Sequence, residues 1–169
     1  MSDATALPDA EATLLALAER MRGAVAHDAA FVGIYSGGAW LAERLPALVP
    51  GNHPVGYIDV AFYRDDYART GLKANTKRTE LPFDVDGATI VLVDDVLFTG
   101  RSVRAAINEL FDFGRPARIE LAVLIARGGR ELPIEPTYCG ARLAVARDLS
   151  IVLSRDDGRL RLAAEAAEG

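Results

Sequence analysis

The stretch TIVLVDDVLFTGRSVRAAINEL, residues 89–110, carries an apolar strand into two adjacent aspartates, then through a small-residue turn into a helix. A buried strand rarely ends on two like charges, because each carboxylate loses hydration and repels its neighbour. The turn that follows, FTGRS, offers successive backbone N–H groups and the positive end of a helix dipole. That is an anion cradle suited to a terminal phosphate. Thr99 and Ser102 add hydroxyl donors, and Gly100 permits close backbone approach. The turn lacks the G-x-x-x-x-G-K-[ST] pattern, so nucleotide hydrolysis of the P-loop kind is unsupported. Asp94 and Asp95 would repel a phosphate unless they face something else. Vicinal hydroxyls fit, since an ionised carboxylate only accepts hydrogen bonds and a diol donates two. A ribose 5-phosphate held at both ends is one reading. A pair of solvated acids at a strand end and a magnesium site are the others.

The elements that must position these groups alternate between strand and helix. Residues 11–26 have helical apolar spacing, and FVGIYS, 31–36, reads as a short strand. After a glycine turn, GGAWLAERLPALV begins a helix that Pro46 stops or kinks. PVGYIDVAFY, 54–63, is rich in β-branched and aromatic residues and reads as a strand. TIVLVDDV is the next strand, SVRAAINELFDFG a helix ended by Gly114 and Pro116, and RIELAVLIA, 118–126, another strand. Shorter strands are expected near RLAVA and SIVLS, with a tail that pairs briefly and frays. Such alternation predicts an α/β fold, a mainly parallel twisted sheet flanked by helices. Ligands in these sheets bind beyond the strands' carboxyl ends. The glycine turn at 36–38, the polar end at 64, the diacid and Arg127 all fall there.

The 169 residues, half of them apolar, suit one domain with a substantial core. The opening MSDATALPDA has neither the basic start nor the apolar centre of a secretory signal, and no run is long enough to span a bilayer. A lone cysteine, Cys139, excludes an internal disulfide framework. A cytoplasmic protein without membrane attachment is the expectation. The net charge of −5 argues against bulk attraction to nucleic acid. Arginines 115, 118, 142, 147, 155, 159 and 161 are the candidates for a local positive patch. His27 and His53 lie outside every motif and are expected on the surface or in loops.

VLVDDVLFTGRS closely resembles the phosphoribosyl-pyrophosphate (PRPP) signature of the phosphoribosyltransferases. Within that family the wider run from YIDVAFYRDD to ARGGRELPI is similar to the PyrR-type pyrimidine operon regulators, which are also uracil phosphoribosyltransferases. The resemblance covers most of residues 31–145. It implies a phosphoribosyltransferase-like fold over 1–169, with a lid loop at about 64–82 and a small hood from about 127–145 plus the C-terminal strands. It implies transfer of ribose 5-phosphate from PRPP to uracil, giving UMP and pyrophosphate. Asp94 and Asp95 then hold the ribose hydroxyls, followed by Val96, while Leu97, Phe98, Thr99, Gly100, Arg101 and Ser102 surround the 5′-phosphate. Ser36, Gly37 and Gly38 match the pyrophosphate loop, with Arg64 and Arg78 as further pyrophosphate contacts and Arg127 and Arg130 on the base side. Mg²⁺ is the implied cofactor, held mainly through PRPP oxygens and water rather than by protein ligands.

Several positions depart from the family pattern. Gly37 stands where many such regulators carry an arginine, Ala126 replaces an acid and Gly129 a histidine. Phe98 stands where 6-oxopurine enzymes commonly place an acid for the purine N7, and an apolar wall there is more coherent with uracil. The reaction passes through an oxocarbenium-like state and needs leaving-group neutralisation and water exclusion more than a nucleophilic side chain. The segment 64–80 is suited both to a surface loop and to a closing lid. Relatives of this type in some bacteria also bind messenger RNA in a nucleotide-dependent way, which implies UMP or UTP and an RNA leader as further partners. Relatives form dimers or higher assemblies, so a homo-oligomer, dimer or tetramer, is expected. A catalytically weak PRPP- or UMP-binding sensor is the alternative, supported by Gly37, Ala126 and Gly129.

Overall fold

A computed structural model of the chain describes residues 6–60 and 79–167. Arg64, Arg78 and the expected lid as far as residue 78 lie outside the described residues. Five strands, β1 (Ala30–Ile34), β2 (Val55–Ile58), β3 (Thr89–Leu97), β4 (Arg118–Arg127) and β5 (Tyr138–Leu143), form one parallel sheet in the order β2-β1-β3-β4-β5. Strand β6 (Leu149–Asp156) pairs antiparallel with β7 (Arg159–Ala166) in a separate hairpin, turned by Asp157 and Gly158 at φ 49° and 76°. Positive φ at both central residues is what a tight two-residue hairpin turn demands. The tail expected to pair briefly pairs with β6 over all eight residues from Arg159 to Ala166. Tyr138–Leu143, expected within the hood, forms the fifth strand of the central sheet instead.

Helices α1 (Ala10–Met21) and α2 (Gly37–Arg44) cover one face of the sheet and α3 (Arg101–Phe113) the other, giving two apolar layers. Strand alternation feeds both: Phe31 enters the first layer, Val32 and Ile34 the second. Asp9 caps α1, its carboxylate accepting from the Ala12 amide at 2.9 Å. The helix stops at Met21 rather than running on to 26: Arg22 already takes extended angles, and Gly23 then turns the chain at φ 78°. Pro46 falls in a 3-10 turn, Leu45–Ala47, that follows α2 directly. His53 lies in the loop before β2, as expected, but is buried there: its ring stacks on Phe31 at 4.4 Å and both nitrogens face carbonyl oxygens, of Ala29 and Pro50. His27 is exposed as expected. Among the described residues no helix is long and apolar enough to cross a membrane.

Glu11 ties three of these elements together. Its carboxylate accepts from both terminal nitrogens of Arg44, at 2.8 and 3.2 Å, and from the Leu160 amide at 3.0 Å. Those bonds, Arg44's first, hold the Glu11 carboxyl below its ordinary range. A carboxyl lowered in the folded state stabilises fully above its unfolded pKa of about 4.3 and loses that contribution as pH falls through the folded value. Thermal melts of wild type and Glu11→Gln should therefore differ at pH 7, with the gap closing as pH drops below about 4. A gap unchanged at pH 3 would contradict this role.

Candidate active site

Strand β3 outruns its neighbour. Its last pairing with β1 is Gly33 with Val93, yet it continues to Leu97 with only β4 alongside. Backbone groups on that open edge need partners other than a strand. Along this overhang the aspartates bond local amides: Asp94 Oδ1 accepts from the Asp95 amide at 2.9 Å, and Asp95 Oδ1 from the Val96 amide at 2.8 Å. Successive residues of a regular strand point to opposite faces. Here the alternation breaks, since Val91, Val93 and Val96 all pack on one apolar layer while Ile90, Leu92 and Leu97 enter the other. Both carboxylates line one cleft of about 840 Å³, with Asp94 only 6% exposed.

Two helix N-termini meet the diacid. After β1 the chain turns through a cis Tyr35–Ser36 peptide into α2, which starts without a side-chain cap. Ser36 and Gly37 line the cleft. Gly38 is buried, and a Cβ there would run into the Val93 carbonyl. Gly33 sits equally close on the other side of the turn, where a Cβ would lie 2.6 Å from Ala39 Cα. A Cβ at Gly37 would meet the Asp95 carboxylate. Helix α3 begins on Gly100, at φ 96°, again with no side-chain cap, and Thr99, Gly100, Ser102 and Val103 line the cleft. It is the positive φ, rather than crowding, that calls for glycine at 100, since a Cβ there finds only ordinary contacts. Thr99 Oγ1 accepts from the Arg101 amide at 3.2 Å. The leading N–H groups of a helix have no intrahelical acceptor and carry the positive end of its dipole. Each of these two ends therefore suits an anion.

The cleft gathers Ser36, Gly37, Asp94 to Gly100 and Ser102 as expected, and adds residues from the C-terminal hairpin. Ser150 to Leu153 and Glu165 to Ala167 form part of its lining, as does Trp40, over whose ring Arg155 lies at 4.9 Å. Nothing in the hairpin's short strand pattern points to a site, because it joins the cleft only through tertiary packing.

The expected arginines are placed differently. Arg101 is exposed and pairs with Glu131 at 3.0 Å. Arg127, expected to face PRPP or the base, is 3% exposed, and its guanidinium donates to the carbonyls of Leu149 and Ala146. Burial pushes its pKa down. Arg130 donates to the Phe98 and Arg127 carbonyls, at 2.6 and 3.0 Å, and pairs with Glu135. Both act on the main chain behind the cleft. A lone sequence position cannot reveal this, because an arginine at a strand's carboxyl end looks the same whether it meets a phosphate or a carbonyl.

An open parallel sheet in the order 2-1-3-4-5 binds ligands where the connections from β1 and β3 diverge, which is where the diacid lies. The family described as the phosphoribosyl transferase domain matches residues 5–141, and the chain belongs to it. A hypoxanthine-guanine phosphoribosyltransferase of Bacillus anthracis has the same fold, with a TM-score of 0.66 at 16% identity over 88% of this chain and 86% of that one. Within the family the chain is one of the PyrR proteins. It is 56% identical over 140 residues to the bifunctional protein PyrR of Ralstonia nicotianae, covering 83% of this chain and 80% of that one. The PyrR of Pseudomonas paraeruginosa is 49% identical over 123 residues, 73% of this chain and 72% of its own.

The close approach at Gly38 generates a test. Gly38→Ala forces α2 off the backbone of β3 and should cost roughly 3 kcal/mol in urea unfolding. Gly37→Ala meets a side chain that can yield, so its stability loss should stay under about 1 kcal/mol while ribose 5-phosphate binding weakens.

Proposed function

We propose that this protein is a uracil phosphoribosyltransferase that converts PRPP and uracil to UMP and pyrophosphate, and that it also serves in nucleotide-dependent regulation of pyrimidine genes. One observation carries the enzymatic reading: two uncapped helix N-termini flank a diacid at a single sheet edge. PRPP has that layout, a diol between two phosphate groups. The α3 end receives the 5′-phosphate, Asp94 and Asp95 accept from the ribose hydroxyls, and the α2 end faces the pyrophosphate. In the reaction uracil N1 bonds to the anomeric carbon and loses its proton, while the bond from that carbon to pyrophosphate breaks and pyrophosphate keeps the electron pair. Negative charge grows on the leaving group, where N–H donors already oriented by α2 lower the barrier without reorganising.

Mg²⁺ fits the hard oxygen donors of Asp94 and Asp95. Among the described residues no group of three or more His, Cys, Asp or Glu side chains is gathered to hold a metal alone. The ion, when bound, supplies further neutralisation of the pyrophosphate. Phe98 gives the cleft an apolar wall with no proton to exchange. Residues 128–137 and the β6–β7 hairpin act as the hood, segment 64–82 as the lid and Arg64 as a pyrophosphate contact, within one domain spanning 1–169 in the cytoplasm. Phe111 and Phe113, exposed at the end of α3, support association as a dimer or tetramer.

The regulatory role draws support from the relatives' description as bifunctional. A broad positive patch is not its basis, since Arg118, Arg142, Arg147, Arg155 and Arg159 are each paired with an acid. The second reading, a sensor that binds PRPP or UMP with little turnover, is favoured by Gly37, which lets the Asp95 carboxylate occupy the side of the pyrophosphate turn.

Pure protein incubated with PRPP, Mg²⁺ and a panel of pyrimidine and purine bases should release pyrophosphate and form a nucleotide with uracil only. A purine nucleotide would redirect the specificity, and UMP binding without product would favour the sensor. Titration with the cognate leader RNA at physiological salt tests regulation separately, because low salt inflates affinity. Asp95→Asn, which exchanges a charged acceptor for a neutral amide, should lower the transfer rate by about 10- to 100-fold with the melting temperature unchanged.

A further inference from the structure

A buried cation sits behind the cleft and joins two of its walls. The Arg127 guanidinium carbon lies 4.0 Å from the centre of the Phe98 ring. Its Nη1 donates to the Leu149 carbonyl at 2.6 Å and its Nη2 to the Ala146 carbonyl at 3.0 Å, while its buried Nε has no hydrogen-bond partner among the described residues. Leu149 opens β6, whose next residues line the cleft, and Phe98 lines it from the phosphate turn. One planar group therefore holds the turn by its face and the hairpin by its edge.

The seat of Phe98 is closed from two further directions. Gly129 stands at φ 112°, and a Cβ there would collide with the Phe98 ring. Arg130 Nη1 fixes the Phe98 carbonyl at 2.6 Å and the Arg127 carbonyl at 3.0 Å. A side chain gripped on its face, its edge and its backbone keeps one position. The charge is costly to bury unless every such partner stays in place, so the contacts hold one another in register.

We propose that Arg127 is a positioning residue that sets the width of the base pocket by holding Phe98 at a fixed distance from the β6 wall, and that it touches neither phosphate end of the substrate. This rests on the base-binding reading above. UMP carries base, sugar and phosphate, whereas ribose 5-phosphate lacks only the base, so comparing their equilibrium affinities isolates the base pocket without needing turnover. Arg127→Lys keeps the charge but loses the planar fork and the ring stacking. Phe98→Leu keeps an apolar wall but loses the cation's partner.

Each single variant should weaken UMP binding by about tenfold while ribose 5-phosphate stays within about twofold of wild type. The double variant should be weaker than the worse single by no more than about twofold, the mark of two side chains acting as one unit. A loss shared equally by ribose 5-phosphate would restore a phosphate contact and overturn the proposal, as would single losses that multiply in the double. Should Arg127→Lys fail to unfold cooperatively, Phe98→Leu decides by the same ratio. Wild type that binds UMP no better than ribose 5-phosphate would defeat the base-site reading itself, before any variant is compared.

Discussion

Strand β3 extends beyond β1 because the chain leaves the sheet after Ile34 to start a helix, and everything in the cleft follows from that overhang. The departure is possible only because Gly33 and Gly38 let α2 start in contact with the β3 backbone. An open strand edge would ordinarily leave main-chain donors facing solvent or unsatisfied. Here the aspartates of the overhang each accept from the next residue's amide, and two helix N-termini face the same cleft. The positive ends of those helices also offset the cost of placing two like charges together. The arrangement is electrostatically alternating: donors, acids, donors. A substrate with a diol between two anionic groups is its complement.

The parts of this design that are local in sequence were legible there. An apolar run, a diacid, a small-residue turn and an amphipathic helix describe β3, the site and α3 almost in full, because each depends on neighbours within a few positions. The parallel sheet followed from alternating periodicities. What escaped depends on distant partners. Arg127 takes its acceptors from Ala146 and Leu149, and His53 takes its stacking partner from Phe31. Neither polarity nor spacing distinguishes a buried polar group with such partners from an exposed one. The hairpin was half visible: a strand near SIVLS and a pairing tail were expected, yet nothing in either says that they wall a cleft.

The departures from the family pattern become intelligible as pairs rather than as single losses. Gly37 leaves room that the Asp95 carboxylate uses, and Gly129 leaves room that the Phe98 ring uses. In each case the missing side chain lies beside a residue of the PRPP motif that has settled into the space. Packed sites respond to volume as well as to chemistry, so a change at one member of such a pair alters the fit of the other. Returning a histidine to position 129 alone would meet both the left-handed backbone and the seated ring, and would disrupt the base wall instead of restoring a function. The same logic holds for an acid at 98: placed over the Arg127 guanidinium it would be captured as an ion pair and withheld from a purine. An acid at position 98 would thus meet two obstacles in this cleft: it would remove the apolar ring, and the buried cation behind would neutralise it.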